Sequence, residues 1–325
     1  MRERAIEPES DGGNPNLRVL VVGAGGVGGY FGGRLLEAER DVTFLVRPQR
    51  AATLAQKGLV IRSRFGDFCR PAPPTVTADT LNDPFDVIVL SSKSYDLHSA
   101  IDDFAPAVGP NSVILPLLNG MRHLDVLDER FGSARVIGGQ CFVSAALDGS
   151  GAVIHFNDAH TLTFGERDGS VSERVRAMES LMGGVKFHWQ LSHAILLEMW
   201  EKWIFIATGA GMTCLMRAPF GDILAARGGD LTTQLYAECA AIASANGYPP
   251  RPEISRKNLA RMNIPGSTLA ASMFRDIERN SPIEADQIVG DLLNRGNERG
   301  LLSPLLRVAY IHLKAYEARR EREIR

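Results

Sequence analysis

Three glycines near the start of the chain are the residues most suggestive of chemistry. Gly23, Gly25 and Gly28 follow the aliphatic run Val19–Val22 and match the pattern G-x-G-x-x-G. In a strand–turn–helix unit, the first glycine permits a tight turn and the second lets backbone N–H groups approach a pyrophosphate. The third lets the helix pack close to the strand, and the positive end of that helix attracts phosphates. The predicted cofactor-binding residues of this loop are Gly23, Ala24, Gly25, Gly26, Val27 and Gly28.

The end of the second predicted strand, Asp41–Arg47, indicates which dinucleotide is bound. Folds that bind NAD usually place an acidic residue here to hold the ribose 2′-hydroxyl. This chain has Arg47 instead, with Arg50 close behind. A guanidinium pairs with phosphate through two parallel hydrogen bonds, so the sequence predicts NADP(H) as the cofactor. The alternative is that Arg47 is an ordinary solvated surface residue.

Polar residues follow two further predicted strands. Lys93 comes after Phe85–Ser91, and Asn119 comes after Ser112–Leu118. Ligands of open parallel sheets bind beyond the carboxyl ends of the strands. The positions of Lys93 and Asn119 therefore favour contacts with the nicotinamide half of the cofactor, although both residue types are also common in caps and turns.

A lysine inside an apolar helix is the next candidate. The segment His193–Arg217 is apolar over most of its circumference and predicts a central buried helix. Lys202 lies between Trp200 and Trp203, and lysines are seldom fully buried without a partner. It therefore either extends to solvent or lines a cleft, where burial would lower its pKa and suit it to proton donation.

The arrangement of elements indicates a Rossmann-type, doubly wound α/β fold followed by an all-helical domain. A short β insertion is predicted at Gly58–Cys69, and no strand is predicted after about residue 190. We assign 1–16 to a disordered leader or alternative start, 17–190 to an NADP-binding domain and 191–325 to a helical substrate domain. Further strands are predicted at Arg135–Val143, Ala152–Phe156, Thr161–Gly165 and Val185–Trp189. Helices are predicted at Val171–Met182, Leu231–Asn246, Pro252–Met262, Ala270–Ile277, and from Ile283 to the end with a break near Gly300–Pro304.

Composition excludes several classes of protein. The 325 residues carry a net charge of −2, which gives no basic surface for nucleic acid or for an anionic membrane. No apolar run is long enough to span a bilayer. The four cysteines are far apart, so we expect buried thiols in a reducing cytoplasm and predict no metal site.

On the basis of these residues, the chain resembles the ketopantoate reductase (2-dehydropantoate 2-reductase) family from about residue 17 to residue 317. The resemblance is carried by an ordered set of motifs: Gly23–Gly28, Lys93-x-Tyr95-Asp96, Leu118-Asn119-Gly120-Met121, Trp200-Glu201-Lys202, Ser272-Met273-x-x-Asp276 and Glu284-x-Asp286. It implies reduction of the C2 ketone of a 2-oxo acid by NADPH, with a helical domain like the C-terminal part of 6-phosphogluconate dehydrogenase. Family members convert ketopantoate to pantoate in pantothenate biosynthesis.

The same resemblance implies roles for individual residues. Lys202 corresponds to the proton donor, and Glu284 corresponds to an acid near both that lysine and the cofactor. Ser272 corresponds to a serine that binds the substrate carboxylate. Asn119 corresponds to an asparagine near nicotinamide and substrate, and Ala145 to a backbone contact with the cofactor.

The substrate pocket departs from the family pattern. Asparagines that bind substrate oxygens in the family correspond here to Ile206, Ala210 and Phe220. Lys202, Ile206, Ala210 and Thr213 share one face of the predicted helix, which we expect to line the cleft. A site that has lost its hydrogen-bonding groups discriminates against a hydroxylated substrate.

The sequence thus predicts an NADPH-dependent 2-oxo acid reductase with a small-molecule substrate. A different, more apolar 2-oxo acid, an opine-type or other hydroxyacid dehydrogenase, and a non-catalytic NADPH sensor remain alternatives. A homodimer is left open.

Overall fold

A five-stranded parallel sheet forms the centre of the N-terminal half. The computed structural model describes residues 17–324, so the predicted leader at 1–16 lies outside the described residues. The strand order is β5-β2-β1-β6-β7, and all neighbouring strands are parallel. These strands are β1 (Val19–Val22), β2 (Val42–Leu45), β5 (Thr75–Val76), β6 (Phe85–Leu90) and β7 (Val108–Pro116). Because β2 and β6 flank β1 on opposite sides, a ligand crevice is expected at the carboxyl end of β1.

Helices connect these strands, and the predicted fold class is confirmed. All four residues of β1 are buried, as expected for an aliphatic strand covered on both faces. The helices of this half are α1 (Gly26–Glu37), α2 (Pro48–Lys57), α3 (Leu97–Phe104), α4 (Arg122–Phe131) and α5 (Glu173–Leu181). The strand predicted from Ser112 begins earlier, at Val108, because an irregularity in the β6–β7 pairing lets the chain rejoin the sheet before residue 112.

The other strands form a second, mixed sheet whose arrangement the sequence did not predict. It contains β3 (Leu59–Arg62), β4 (Phe68–Arg70), β8 (Gly138–Leu147), β9 (Val153–Gly165) and β10 (His188–Leu191). The long strand β9 pairs antiparallel with β8 and parallel with β3 and β10. A Cβ atom added to Gly26 would lie 2.2 Å from the carbonyl oxygen of Ala145, so β8 packs directly against the start of α1.

The C-terminal half is helical and is organised around one long helix. The last strand ends at Leu191, and α6 (Ile195–Met216) begins soon afterwards. The remaining helices are α7 (Phe220–Ala225), α8 (Gly229–Ala245), α9 (Pro252–Met262), α10 (Ser272–Glu278), α11 (Asp291–Glu298) and α12 (Pro304–Ile324). Helix α6 contacts α8, α9, α10, α12 and strand β8, so it is the central helix of this half.

The structure tests the expectation that all four cysteines are buried. Cys141, Cys214 and Cys239 are buried free thiols as expected, but the prediction for Cys69 is wrong because that side chain is exposed. Cys69 lies on β4, which is an edge strand of the second sheet. Within residues 17–324, no helix is long and apolar enough to cross a membrane.

Candidate active site

A groove of about 620 Å³ opens at the glycine-rich loop, between β1, β2 and β6. Gly23 has φ +92°, in the region that favours glycine, and forms the tight turn after β1. A Cβ atom added to Gly28 would lie 2.1 Å from the carbonyl oxygen of Gly23, so a side chain there would clash. A Cβ atom at Gly25 would meet nothing within 4 Å, which leaves its backbone open to the groove.

The amino end of α1 suits an anion. Gly26, Val27 and Gly28 are its first three residues, and Gly25 caps it without a side-chain hydrogen bond. No acidic residue lies in the first turn of this helix. Its free N–H groups and positive dipole end are therefore available to a pyrophosphate.

Arg47 lines the same groove, where β2 gives way to α2. Its side chain is 70% exposed, and Nη2 donates a hydrogen bond to Oδ1 of Asp96 at 2.8 Å. This hydrogen bond and the charge of Asp96 hold the pKa of Arg47 above its usual value. The guanidinium is thus charged and next to the groove, but it is paired with a carboxylate.

Arg50 is a more deeply placed arginine that the sequence offered only as a neighbour of Arg47. Its Nε donates to the carbonyl oxygen of Ala24 at 3.0 Å, and its Nη1 donates to that of Gly151 at 2.8 Å. The third nitrogen, Nη2, is buried and has no hydrogen-bond partner within residues 17–324. Arg50 therefore ties the glycine-rich loop to the turn between β8 and β9.

An ion pair connects the two halves of the molecule beside the groove. Oε2 of Glu284 lies 3.1 Å from Nζ of Lys93, and Oε1 accepts a hydrogen bond from the backbone N–H of Ser94 at 3.0 Å. Asp276 is a second carboxylate, 3.7 Å from the same Nζ. Burial alone would lower the pKa of Lys93, but the charges of Glu284 and Asp276 raise it above its usual value. The direct partner of Glu284 is therefore Lys93.

Lys202 does not extend to solvent. The residue is 8% exposed, and its Nζ donates a hydrogen bond to the carbonyl oxygen of Cys141 at 2.7 Å. The ring centroid of Phe142 lies 5.3 Å from the same nitrogen. Burial lowers the pKa of this ammonium below its usual value, which makes it a better proton donor.

Two neighbouring spaces lie along α6. Lys202 lines a small chamber of about 10 Å³, and Asn119 and Ile206 are shared between this chamber and a larger cavity of about 150 Å³. The larger cavity is lined by Asn119, Phe205, Ile206, Gly209, Ala210, Phe220, Leu269, Ala270, Ala271, Ser272, Met273 and Ile288. The structure therefore brings together Asn119, Ser272 and all three substituted family positions.

Other residues singled out from the sequence lie elsewhere. The prediction that Thr213 shares the cleft is wrong, because its hydroxyl donates to the carbonyl oxygen of Gly209 at 2.7 Å and it does not line the cavity. The carbonyl oxygen of Ala145 faces Gly26, and on β8 it is Leu147 that lines the groove. Sequence reasoning missed Gln140, which lines the chamber beside Lys202.

Family models match both halves of the chain. Residues 19–169 match the family model described as "Ketopantoate reductase PanE/ApbA", and residues 194–317 match its C-terminal counterpart. The chain belongs to the ketopantoate reductase family. As a member of this family, the protein is an oxidoreductase.

Relatives of the ketopantoate reductase family align along nearly the whole chain. "Uncharacterized oxidoreductase YkpB" of Bacillus subtilis is 40% identical over 93% of this chain and 99% of its own length. A 2-dehydropantoate 2-reductase of a Nostoc species is 26% identical over 93% of this chain and 96% of its own length. The crystal structure of 2-dehydropantoate 2-reductase from Methylococcus capsulatus has a TM-score of 0.81 and 28% identity, covering 94% of this chain and 98% of that one.

Proposed function

We propose that this protein reduces a 2-oxo acid with an apolar tail to the 2-hydroxy acid, using NADPH. The observation that carries the proposal is a buried lysine with a lowered pKa next to an apolar cavity. Lys202 and Asn119 line one end, and Ile206, Ala210 and Phe220 line the other. The reacting end of this site is polar and the far end is apolar.

The groove at the glycine-rich loop fits a dinucleotide. The open backbone at Gly25 and the amino end of α1 suit the pyrophosphate. Arg47 is our candidate for the 2′-phosphate, and the phosphate would compete with Asp96 for it. Lys93 lies at the far side of this groove, where β6 ends. A bound reduced nicotinamide supplies a hydride to C2 of the substrate.

The residues of this chain supply charge and orientation. Negative charge develops on the carbonyl oxygen during reduction, and the Lys202 ammonium stabilises this charge and then donates a proton to the oxygen. We assign Ser272, at the start of α10 on the cavity wall, to the substrate carboxylate. We assign Asn119 to the orientation of both reactants, and Glu284 to the positioning of Lys93 beside the cofactor.

The cavity wall determines the substrate class. A hydroxyl group buried against Ile206 and Ala210 without a partner costs about 1–3 kcal/mol. Ketopantoate carries such a hydroxyl at its tail, whereas an alkyl or aryl tail has none. An apolar 2-oxo acid is therefore the better fit.

A substrate panel tests the proposal. Oxidation of NADPH and of NADH is followed spectrophotometrically with ketopantoate, pyruvate, 4-methyl-2-oxopentanoate and phenylpyruvate. We expect the largest kcat/KM with NADPH and an apolar-tailed acid. Efficient and selective reduction of ketopantoate would contradict the substrate assignment. Binding of NADPH without turnover of any 2-oxo acid would favour the sensor.

A further inference from the structure

Gln140 on β8 has a side-chain amide oxygen without a hydrogen-bond partner among the described residues. Gln140 is 6% exposed, and its Oε1 is buried without a hydrogen-bond partner within residues 17–324. Buried polar side chains are nearly always paired, because an unpaired amide oxygen loses its hydrogen bonds to water. This amide is therefore an acceptor available to a small molecule.

Gln140 is held in place by the sheet and faces α6. Its strand position is opposite Thr163 of β9. Alternate residues of a strand share a face, and a Cβ atom at Gly138 would lie 2.6 Å from the Ile195 side chain of α6. The side chain of Gln140 accordingly lines the small chamber together with Lys202 and Asn119.

The chamber is the polar end of the candidate site. Its volume of about 10 Å³ is close to the space that one water molecule needs. The wall that α6 contributes beyond Lys202 is apolar, since Ile206 and Ala210 follow at successive turns. Lys202, Asn119 and Gln140 are therefore the polar side chains that this chamber offers to a substrate oxygen.

We propose that Gln140 is a specificity-determining residue that binds the oxygen atom on C2 of the substrate. This inference rests on the proposed function. The amide can donate from Nε2 to the ketone oxygen of the 2-oxo acid and accept at Oε1 from the hydroxyl of the 2-hydroxy acid. Gln140 is unchanged by the reaction. C2 of the substrate gains the hydride, and the oxygen atom on C2 gains the proton from Lys202.

The test compares ligands that differ only in this oxygen. Wild-type protein and the Gln140→Met variant, both saturated with NADP⁺, are titrated with 2-hydroxy-4-methylpentanoate and with 4-methylpentanoate. We expect the variant to bind the hydroxy acid about three- to tenfold more weakly and the deoxy acid equally well. In turnover with 4-methyl-2-oxopentanoate, KM should rise by the same factor while kcat changes less than about twofold. Gln190→Met, an exposed glutamine on β10, is the matched control.

The thermal stability of the ligand-free variants distinguishes direct binding of substrate by Gln140 from a structural role of this residue. Methionine has nearly the same shape and removes the unpaired oxygen, so the melting temperature of the ligand-free Gln140→Met variant should equal or exceed that of the wild type. A second variant, Gln140→Glu, places a carboxylate beside Lys202 and should raise KM for the anionic substrate at least tenfold while leaving the Kd for NADPH unchanged.

The outcomes distinguish the two proposals. An equal loss of affinity for both acids, or an unchanged preference for the hydroxy acid, would overturn the assignment of Gln140 while the reductase activity stands. Should Gln140→Met not fold, a normal KM in Gln140→Glu would overturn it as well. If the wild type neither binds the hydroxy acid nor reduces any member of the panel, both proposals fail.

Discussion

Nζ of Lys93 lies 3.1 Å from Oε2 of Glu284, and this ion pair joins the end of β6 to the helical half of the protein. The two residues are 191 positions apart in sequence. The side chain of Glu284 is 9% exposed, whereas that of Lys93 is 46% exposed, so solvent screens the pair only in part. The pair therefore holds the two halves in register at the edge of the cofactor groove.

A double-mutant cycle measures this link. We expect Lys93→Met and Glu284→Gln each to lower the melting temperature by a few degrees at most, with a coupling free energy of about 0.5–1 kcal/mol between them. Added salt should reduce the coupling, because Lys93 is half exposed. Thermal unfolding of the four proteins at low and high salt provides the measurement. Fully additive effects would show that the contact is not energetically coupled.

We expect Lys202 to control the pH dependence of reduction. Proton donation requires the ammonium form, and burial lowers the pKa of Lys202 below 10.5. We therefore expect kcat/KM for the 2-oxo acid to fall as pH rises through this lowered pKa.

Removal of the donor tests the same residue. Lys202→Met should lower kcat by about 10²–10⁴-fold and abolish the alkaline limb, while the Kd for NADPH stays unchanged. Lys257→Met, on the exposed side of α9, is the control. Normal turnover by Lys202→Met would assign Lys202 to packing.

We expect the choice of cofactor to depend on Arg47 and on its carboxylate partner, Asp96. A charge-assisted hydrogen bond contributes about 1.5–3 kcal/mol, so Arg47→Ala should weaken NADPH binding about ten- to hundredfold and NADH binding much less. Asp96→Asn should tighten NADPH binding, because it frees the guanidinium that Asp96 now holds at 2.8 Å. Fluorescence titration gives both values of Kd.

An exposed ion pair on another part of the surface serves as the control for the Arg47–Asp96 pair. Arg62 and Asp67 form a similar contact at 2.6 Å on the β3–β4 hairpin. Arg62→Ala should leave both cofactor affinities unchanged. Equal losses for NADPH and NADH in Arg47→Ala would contradict a 2′-phosphate contact.

The cavity wall should control the choice of substrate tail. Ile206→Asn combined with Ala210→Asn introduces hydrogen-bonding groups at two successive turns of α6. We expect the ratio of kcat/KM for ketopantoate to that for 4-methyl-2-oxopentanoate to rise at least tenfold, because an unpaired hydroxyl no longer has to be buried. Glyoxylate has no tail and serves as the control substrate. An unchanged ratio would show that these side chains do not contact the tail.

The sequence predicted the parts of the site that lie on one element. The glycine pattern after β1 led directly to the loop and to the amino end of α1. Helical spacing placed Lys202, Ile206 and Ala210 along one side of α6, and these three residues do line two neighbouring spaces. Thr213 has the spacing of the same helix face but does not line the cavity, because its hydroxyl donates to the carbonyl oxygen of Gly209 and accepts a hydrogen bond from the backbone N–H of Ala271.

Contacts between distant elements could not be predicted in the same way. Gln140 is a single polar residue within an otherwise ordinary strand, and nothing local shows that its oxygen stays unpaired. The partner of Glu284 depends on how the helical half packs against β6. The second sheet likewise depends on β9 pairing with β3 and β10, which come from separate parts of the chain.

In the function proposed above, helix α6 carries the proton donor and the residues that select the substrate at different turns. Under the proposed function, Lys202 is the proton donor, and the two residues that contact the substrate tail, Ile206 and Ala210, follow it at successive turns, each one turn further from the reacting end. Single substitutions on the later turns can therefore alter the range of accepted substrates and leave the donor untouched. Such an arrangement lets descendants of one reductase acquire new substrates by small mutational steps, and it offers protein engineers the same route.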